Sequence, residues 1–257
     1  MSADVEPKLA PPGAGLPKPE LYVARMLFAW LRWTGNRDAF NRRFEKERAV
    51  IRHLTRACDA ETGAQRVLIR RPPGLEDSSR YWSVWMTLDH LRIMHGSINQ
   101  VVEALVKGVT LDRKASTAAV KPSPLATNAV VPEFEKSCDT LLATVAATSN
   151  LKTLKHFEHP WFGPLDAAAW HAMAAMHLGL HRVQIERILK GLPAVRSAGG
   201  LASRKPALRR HDAIKPHGGT IGRGELIGTA GNVGGEHGAA IGRPSTAKLA
   251  GLQQVKT

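Results

Sequence analysis

Four separate stretches of the chain place apolar residues at the three- and four-residue spacing of an α-helix, and this pattern constrains the fold most. Pro, Gly and Ser residues separate the stretches, so each stretch is predicted to be a helix bounded by loops. Each helix has an apolar stripe to bury, which favours packing around a shared core. We therefore predict an all-α protein, a four-helix bundle with helices at residues 20–59, 83–107, 132–145 and 164–190.

The ends of these helices carry recognisable signals. The first is predicted to break near Gly35, and Ser83 is the expected N-cap of the second. Pro132 is predicted to begin the third helix. Pro164 is predicted to begin the fourth, because a proline in the first turn lacks only an N–H group that would have no partner there. The fourth helix is expected to end near Lys190, before a Gly-Leu-Pro sequence.

Both ends of the chain differ in composition from the helical part. Residues 1–19 are rich in proline and are predicted to be a disordered segment. Thirteen of the 23 glycines lie after Val195, where no apolar period is present, so residues 194–257 are predicted to form a disordered, basic, Gly-rich tail. The bundle is accordingly assigned to residues 20–193.

The formal charge of +14 is unevenly distributed. Residues 195–257 contain ten Lys or Arg and three Asp or Glu, so this tail supplies half of the net charge. The bundle is only moderately basic, and we do not expect specific nucleic-acid binding, although the tail could contact phosphates or an acidic partner.

Neither a secretory signal pattern nor an apolar run of eighteen residues is present. We expect a cytoplasmic protein that does not bind membranes. Cys58 and Cys138 are eighty residues apart and show no paired motif, so both are expected to be reduced on helix faces. A homodimer is compatible with a bundle, but the sequence contains no interface signature.

The fourth predicted helix carries polar residues on its apolar stripe. His177 and Gln184 occupy positions where leucine is usual in a bundle, and His181 lies one turn after His177. A histidine pair at this spacing presents two imidazoles on one helical face, where both can bind one ion at about 2.0–2.1 Å. The pair alone is weak evidence, because a histidine on an apolar face is commonly only hydrogen-bonded.

A third histidine, His90, lies at the middle of the second predicted helix. Helical bundles build metal sites from side chains of facing helices, so three histidines form a plausible ligand set with positions open for water or substrate. Nitrogen ligands suit zinc or nickel, with iron or cobalt also compatible, and argue against calcium or magnesium. Four further histidines are predicted to be surface or capping residues: His95, His156, His159 and His171. For His159 a place near the mouth of the site is the alternative.

Two motifs resemble those of one protein family. Residues 82–91 read W-S-V-W-M-T-L-D-H-L and are similar to the W-S-x-x-x-x-L-x-H-L signature of DinB-like proteins. Residues 159–165, followed by H-L-G-L-H-R-V-Q-I at 177–185, resemble the last core helix of that superfamily. The resemblance covers residues 20–190 and implies a four-helix bundle with a divalent metal on His90, His177 and His181. Some relatives are metal-dependent transferases that use low-molecular-weight thiols, and others have no known activity.

Three functional hypotheses follow. The protein is a metal-dependent enzyme with a small-molecule substrate, a thiol S-transferase or a hydrolase, in which Gln184 and Glu47 are catalytic or supporting candidates. Glu47 shares the apolar stripe of the first helix, so its carboxylate lies either at the helix edge or beside a buried cation. Alternatively, the bundle is a non-catalytic metal-binding stress-response or interaction module, or the histidines are only structural.

Overall fold

The computed structural model describes residues 6–192, which form six α-helices, two single-turn 3-10 helices and two short β-hairpins. The helices are α1 (Lys18–Thr34), α2 (Arg37–Arg56), α3 (Ala60–Ala64), α4 (Val84–Val106), α5 (Val130–Ala147) and α6 (Ala167–Gly191). The strands are β1 (Val67–Leu68), β2 (Tyr81–Trp82), β3 (Phe157–His159) and β4 (Gly163–Leu165). The 3-10 helices are Asp77–Ser79 and Ala118–Val120.

The four long helices α2, α4, α5 and α6 form the predicted bundle. Helix α4 packs against both α5 and α6, and α2 packs against α6. The core between them consists of fully buried apolar side chains from all four helices, the largest of which are Phe44, Ile51, Trp85, Leu88, Leu91, Ile98, Phe134, Leu141, Leu178, Ile185 and Ile188. The all-α prediction is confirmed, and the apolar stripes are the reason: each faces the other helices.

Polar side chains fix where the helices begin. The Ser83 hydroxyl accepts a hydrogen bond from the Met86 N–H at the start of α4, as predicted. The fourth bundle helix differs from the prediction, because α6 begins at Ala167 and Pro164 lies in strand β4. The Asp166 carboxylate accepts from the Ala169 N–H and caps this helix, which places its first turn three residues after Pro164.

The first predicted helix is two helices. Gly35 ends α1, and the Asn36 side chain accepts from the Ala39 N–H to begin α2. Helix α2 ends at Arg56 rather than continuing to residue 59, so Cys58 lies in the connection to α3. Cys138 is buried on α5, and both cysteines are free thiols.

Helix α3 packs closely against α4. A Cβ atom at Gly63 would lie 2.2 Å from Cε2 of Trp85, so only glycine allows this approach. The Trp85 indole N–H donates to the Ala60 carbonyl oxygen at 3.0 Å. This contact fixes the start of α4, where the signature motif lies.

Two antiparallel hairpins, β1 with β2 and β3 with β4, were not predicted from the sequence. In the second, His159 pairs with Gly163, and Gly163 has a φ of 72°, a left-handed conformation that favours glycine. These strands are only two or three residues long, which is too short for the spacing of apolar residues to distinguish a strand from the end of a helix. The hairpins bring Trp82 and His159 to the same end of the bundle as the histidines of α4 and α6.

Residues 6–17 precede α1 and are held by hydrogen bonds. The Asp77 carboxylate accepts from the Ala10 N–H, and the Glu76 carboxylate accepts from the Gly13 and Gly15 N–H groups. The structure therefore differs from the predicted disorder of residues 1–19 at residues 6–17. Proline keeps this segment out of helices and sheets, and the two carboxylates accept hydrogen bonds from its backbone N–H groups instead. Residues 1–5 and the predicted tail at 194–257 lie outside the described residues.

Helix α1 lies on the outside of the bundle. Its Phe28 side chain is buried and contacts Phe162, with 4.7 Å between ring centroids. Its opposite side leaves several large apolar side chains exposed, among them Trp30 and Trp33. Within residues 6–192, no helix combines the length and the hydropathy needed to cross a membrane.

Candidate metal centre

The side chains of His90 on α4 and of His177 and His181 on α6 converge. The Nε2 atom of His177 lies 3.3 Å from Nε2 of His90 and 3.1 Å from Nε2 of His181. One nitrogen from each ring lies within 4.8 Å of the other two. The structure thus brings together the three residues predicted as ligands: the one-turn spacing aligns His177 with His181, and α4 presents His90 from the facing helix.

Two of the three rings are oriented by hydrogen bonds through their other nitrogen. Nδ1 of His90 donates to the Val120 carbonyl oxygen at 2.6 Å. Nδ1 of His181 donates to Oε1 of Gln184 at 2.6 Å, and the Gln184 amide donates in turn to the Ser79 carbonyl oxygen at 2.7 Å. Because both Nδ1 atoms carry the proton, the Nε2 atoms of the neutral rings present lone pairs to the centre of the cluster.

Burial keeps the three imidazoles uncharged. Desolvation lowers the pKa of His90 to about 4. It also lowers the pKa values of His177 and His181 well below the usual value, and the neighbouring histidines add to the effect. At neutral pH the cluster therefore consists of neutral imidazoles, the form that binds a metal ion.

The donor set fits a transition-metal ion. Two nitrogens bound tetrahedrally to one ion at 2.0–2.1 Å are about 3.3–3.4 Å apart, close to the distances between the Nε2 atoms here. Without a cation, the lone pairs of His90 and His181 both face His177, whose single Nε2 proton could satisfy only one of them. Three imidazole nitrogens suit zinc or nickel, and iron or cobalt are also compatible.

The indole of Trp82 forms one wall of the cluster. Its ring centroid lies 5.1 Å from that of His90 and 6.2 Å from that of His181, to which it is nearly parallel. Trp82 is buried on strand β2, immediately before the N-cap Ser83. The sequence contained a signal for this residue, because Trp82 opens the signature motif, but the motif alone gave it no role.

A loop carries the Val120 carbonyl to His90, and buried carboxylates hold that loop. Asp89, the neighbour of His90, accepts from the Ser123 N–H at 2.8 Å. Glu76 accepts from the Thr117 hydroxyl at 3.2 Å. Both carboxylates are less than one-tenth exposed. The loop on each side of Val120 is therefore anchored, which fixes the acceptor for the His90 ring. Sequence reasoning missed this partner, since any residue supplies a backbone carbonyl.

The cluster opens into a cavity of about 510 Å³. Its lining is mainly apolar, with side chains from α1, α6, the β3–β4 hairpin and the segment before α1, among them Leu16, Leu27, Phe162, Met176 and Leu180. His177 is the member of the cluster that is only partly buried. A small molecule can therefore reach the cluster from this cavity, whose volume is typical of ligand sites.

The two weaker candidates, Gln184 and Glu47, have different positions. Gln184 is fully buried and touches the cluster through His181, as a supporting residue would. Glu47 lines the cavity, but its carboxylate accepts from the Arg182 guanidinium. Of the two alternatives for Glu47, the structure shows the second, a pairing with a cation on the facing helix.

The prediction that four other histidines are surface or capping residues is wrong for His95 and His171, which are buried. His159 is buried in the lining of the cavity that adjoins the cluster, which agrees with its alternative placement near the mouth of the site. His95 and His171 are about 1% exposed, and His159 is 9% exposed, whereas His156 is exposed. His159 lines the cavity, where its Nδ1 accepts from the Trp161 N–H at 3.1 Å, and burial lowers its pKa to about 4. His95 and His171 are buried because α4 and α6 are packed on more than one side by other helices.

One protein family and one solved structure are similar to this chain. The sequence model of the DinB superfamily matches residues 43–185, more than half of the chain, and this range includes all three histidines of the cluster. A solved structure, TT2238, described as a four-helix bundle protein, is 21% identical over 59% of this chain and 98% of its own, with a TM-score of 0.43. No curated protein matches the sequence. The chain belongs to the DinB superfamily.

Proposed function

We propose that His90, His177 and His181 bind one divalent transition-metal ion, and that the protein is a metal-dependent enzyme acting on a small molecule in the adjoining cavity. The observation that carries the proposal is the convergence of three Nε2 atoms, two of them on rings whose Nδ1 protons are held by acceptors. A purely structural set of histidines has no need for two Nε2 lone pairs directed at the same nitrogen of a third ring.

The open side of the cluster favours a catalytic role over a structural one. Structural zinc is usually enclosed by four protein ligands, whereas catalytic zinc has three and keeps a position for water or substrate. Among residues 6–192, only these three side chains form a group of histidine, cysteine or acidic residues close enough to share an ion. The cavity beside His177 would supply the substrate.

His90, His177 and His181 would hold the ion, which would lower the pKa of a bound thiol or water molecule, the chemistry needed for thiol transfer or hydrolysis. Gln184 and the Val120 carbonyl keep two rings in the correct tautomer. Trp82 excludes water from one side of the cluster. The apolar lining of the cavity positions the substrate and strengthens electrostatic interactions near the cluster.

Assays of two reaction types on zinc-loaded and nickel-loaded full-length protein test the proposal. In the first, a thiol attacks 1-chloro-2,4-dinitrobenzene: a carbon–sulfur bond forms, chloride leaves, and the thiol proton passes to solvent. In the second, 4-nitrophenyl acetate is hydrolysed. We expect metal-dependent turnover in one of them, reduced to the metal-free background in His177→Ala.

The matched control is His156→Ala, which removes an exposed histidine outside the cavity lining. It is expected to retain the metal and the turnover of the wild type. Equal rates for His177→Ala and His156→Ala would contradict the enzymatic assignment. Metal binding without turnover in either reaction would favour the alternative of a non-catalytic metal-binding module.

A further inference from the structure

The acidic side chains around the cavity are all bonded within the protein. Glu20 is paired with Arg71, and Glu47 with Arg182. Glu76 accepts from two backbone N–H groups and two hydroxyl groups. The charges of Glu20 and Glu47 are therefore neutralised by arginines, whereas the charge of Glu76 is met only by neutral donors.

Two cationic side chains that line the same cavity have no such partner. Arg43 on α2 and Lys121 after the 3-10 helix are both exposed, and neither makes an ion pair or side-chain hydrogen bond with any residue between 6 and 192. The other two cations of the lining are occupied: Arg182 by Glu47 and Arg187 by a backbone carbonyl oxygen. Arg43, Lys121 and Arg187 are thus three lining cations without an anionic partner among residues 6–192, against the single unpaired carboxylate of Glu76, so the balance of charge at the cavity is positive.

Arg43 lies close to the level of the histidine cluster along the bundle. Helices α2 and α6 run parallel, since Phe40 packs against His171 while Glu47, two turns later, reaches Arg182. Arg43 lies one turn before Glu47 on α2. Along the bundle axis it is therefore at the same height as the α6 residues between His171 and Arg182. Met173 and Met176 of that stretch line the cavity with Arg43.

Lys121 approaches the cluster from another element. It directly follows Val120, whose carbonyl oxygen accepts the hydrogen bond from His90. The loop that carries both residues is anchored by Asp89 through the Ser123 N–H. The two free cations thus belong to different sides of the cavity, α2 and the loop beside His90.

The rest of the lining is mainly apolar, as the side chains of Leu27, Phe162, Met176 and Leu180 show. An apolar surface of this size with a few polar groups selects a molecule whose body is apolar and whose polar group matches those residues. The matching group for two unpaired cations is an anion.

We propose that the cavity binds a largely apolar molecule that carries one anionic group, such as a carboxylate, and that the positive charges of Arg43 and Lys121, on two sides of the cavity, favour a ligand with that group over a neutral one. As a statement about substrate class this inference rests on the proposed function, whereas as a statement about binding it does not require the metal. A ligand of this class would place its apolar body against α1 and α6 and its charge near α2 or the loop.

Titration calorimetry with 4-phenylbutanoate and 4-phenylbutan-1-ol tests the inference on the full chain, stripped of metal with a chelator and then dialysed. The two probes share the same apolar body and differ in charge. We expect the carboxylate to bind about tenfold more tightly, with a preference that decreases as salt is added. Arg43→Gln should weaken carboxylate binding by about threefold to fivefold, the usual size for an exposed charge, and leave alcohol binding unchanged.

Arg42→Gln is the matched control, because Arg42 is the exposed neighbour of Arg43 and is not part of the cavity lining. It should leave both affinities unchanged, and the double variant Arg43→Gln/Lys121→Gln should bind the two probes within about twofold of each other. Equal binding of the two probes to the wild type, equal effects of Arg42→Gln and Arg43→Gln, or no binding would overturn the inference. Because the experiment uses metal-free protein, failure of metal binding is seen separately, as an absence of zinc uptake by the wild type.

Discussion

The protein buries two kinds of histidine, and they differ in what their ring nitrogens meet. In the cluster of His90, His177 and His181, Nε2 atoms converge while acceptors hold two of the Nδ1 protons. His171 is at least as buried as any of them, yet neither of its ring nitrogens has a hydrogen-bond partner. Burial alone therefore does not distinguish the cluster from the other histidines of this bundle. The cluster differs because its Nε2 atoms converge and because two of its three rings are oriented through Nδ1.

His95 lies between these two cases. Its Nδ1 is 3.2 Å from the Ser137 hydroxyl and 3.6 Å from the Cys138 thiol, while its Nε2 has no partner. Burial lowers the pKa of His95 to about 3 and raises that of Cys138 far above its usual range. A neutral imidazole beside a protonated thiol is not a reactive pair, so this contact is part of the packing between α4 and α5.

The two kinds of buried histidine should differ most in their effect on zinc affinity when one of each, His181 and His171 on α6, is replaced by alanine. His181→Ala should reduce zinc affinity by more than a hundredfold, because it removes a direct ligand. His171→Ala should leave that affinity unchanged. Competition with a chromophoric zinc chelator measures both. Similar zinc affinities for the two variants would abolish the distinction.

Loss of an orienting partner should have the next largest effect. Gln184→Leu frees the Nδ1 proton of His181 and should lower zinc affinity by about 10- to 100-fold. Gln184→Glu retains an acceptor for His181 and is expected to lose less affinity, although the Ser79 carbonyl loses its donor. The same chelator competition distinguishes them, and an unchanged affinity in Gln184→Leu would show that the tautomer is not set by this contact.

The second kind of histidine, represented by His171, should affect how the free energy of unfolding changes with pH. Burial, with a smaller contribution from Arg37, lowers the pKa of His171 to about 4, against about 6.5 in the unfolded chain. Between these values the unfolded chain binds the extra proton. The contribution of His171 to the free energy of unfolding is therefore at its full value above pH 6.5. It falls as the pH decreases towards 4, by about 1.4 kcal/mol per pH unit for one histidine.

His171→Leu should remove that contribution and make the decrease shallower by one proton. At pH 7.5 its stability should equal or exceed that of the wild type, because the replacement eliminates two unpartnered polar atoms. Urea unfolding of metal-free protein at pH 7.5, 6.0 and 5.0 provides the measurement. An unchanged pH slope would mean that His171 is charged or hydrogen-bonded in the folded protein.

The smallest effect is expected at Glu47, which lines the cavity without an observed contact to the cluster. Glu47→Gln removes the charge that pairs with Arg182 and should change the free energy of unfolding by less than about 1 kcal/mol. Zinc affinity should remain within about twofold of the wild-type value. A much larger loss of zinc affinity would place Glu47 among the groups that support the metal.

The residues of the site that could be predicted from the sequence are those on helices. Regular geometry turns a four-residue spacing into a shared face, so His177 and His181 could be paired from the sequence, and the motif around His90 supplied the third member. The Val120 carbonyl could not be predicted in this way. It lies thirty residues from His90, in a loop whose path depends on Asp89 and Glu76.

The same distinction explains the errors in the fold. Pro164 suits the first turn of a helix, but the preceding Gly163 adopts a left-handed conformation that closes a hairpin, and Asp166 then caps the helix. The sequence also could not reveal which apolar residues are covered. Trp33 on α1 lies three residues after Trp30 and seven after Met26, the spacing of an apolar stripe, yet all three are exposed because nothing between residues 6 and 192 packs over that side.

We propose that the cluster, and no other buried histidine, holds an ion. The most direct test of this proposal is the metal content of full-length protein purified without a histidine tag, loaded with zinc or nickel and then desalted. The wild type and His171→Ala should each retain about one equivalent, and His177→Ala should retain almost none. A wild type that never approaches one equivalent, or a His177→Ala variant that retains as much metal as the wild type, would contradict the account.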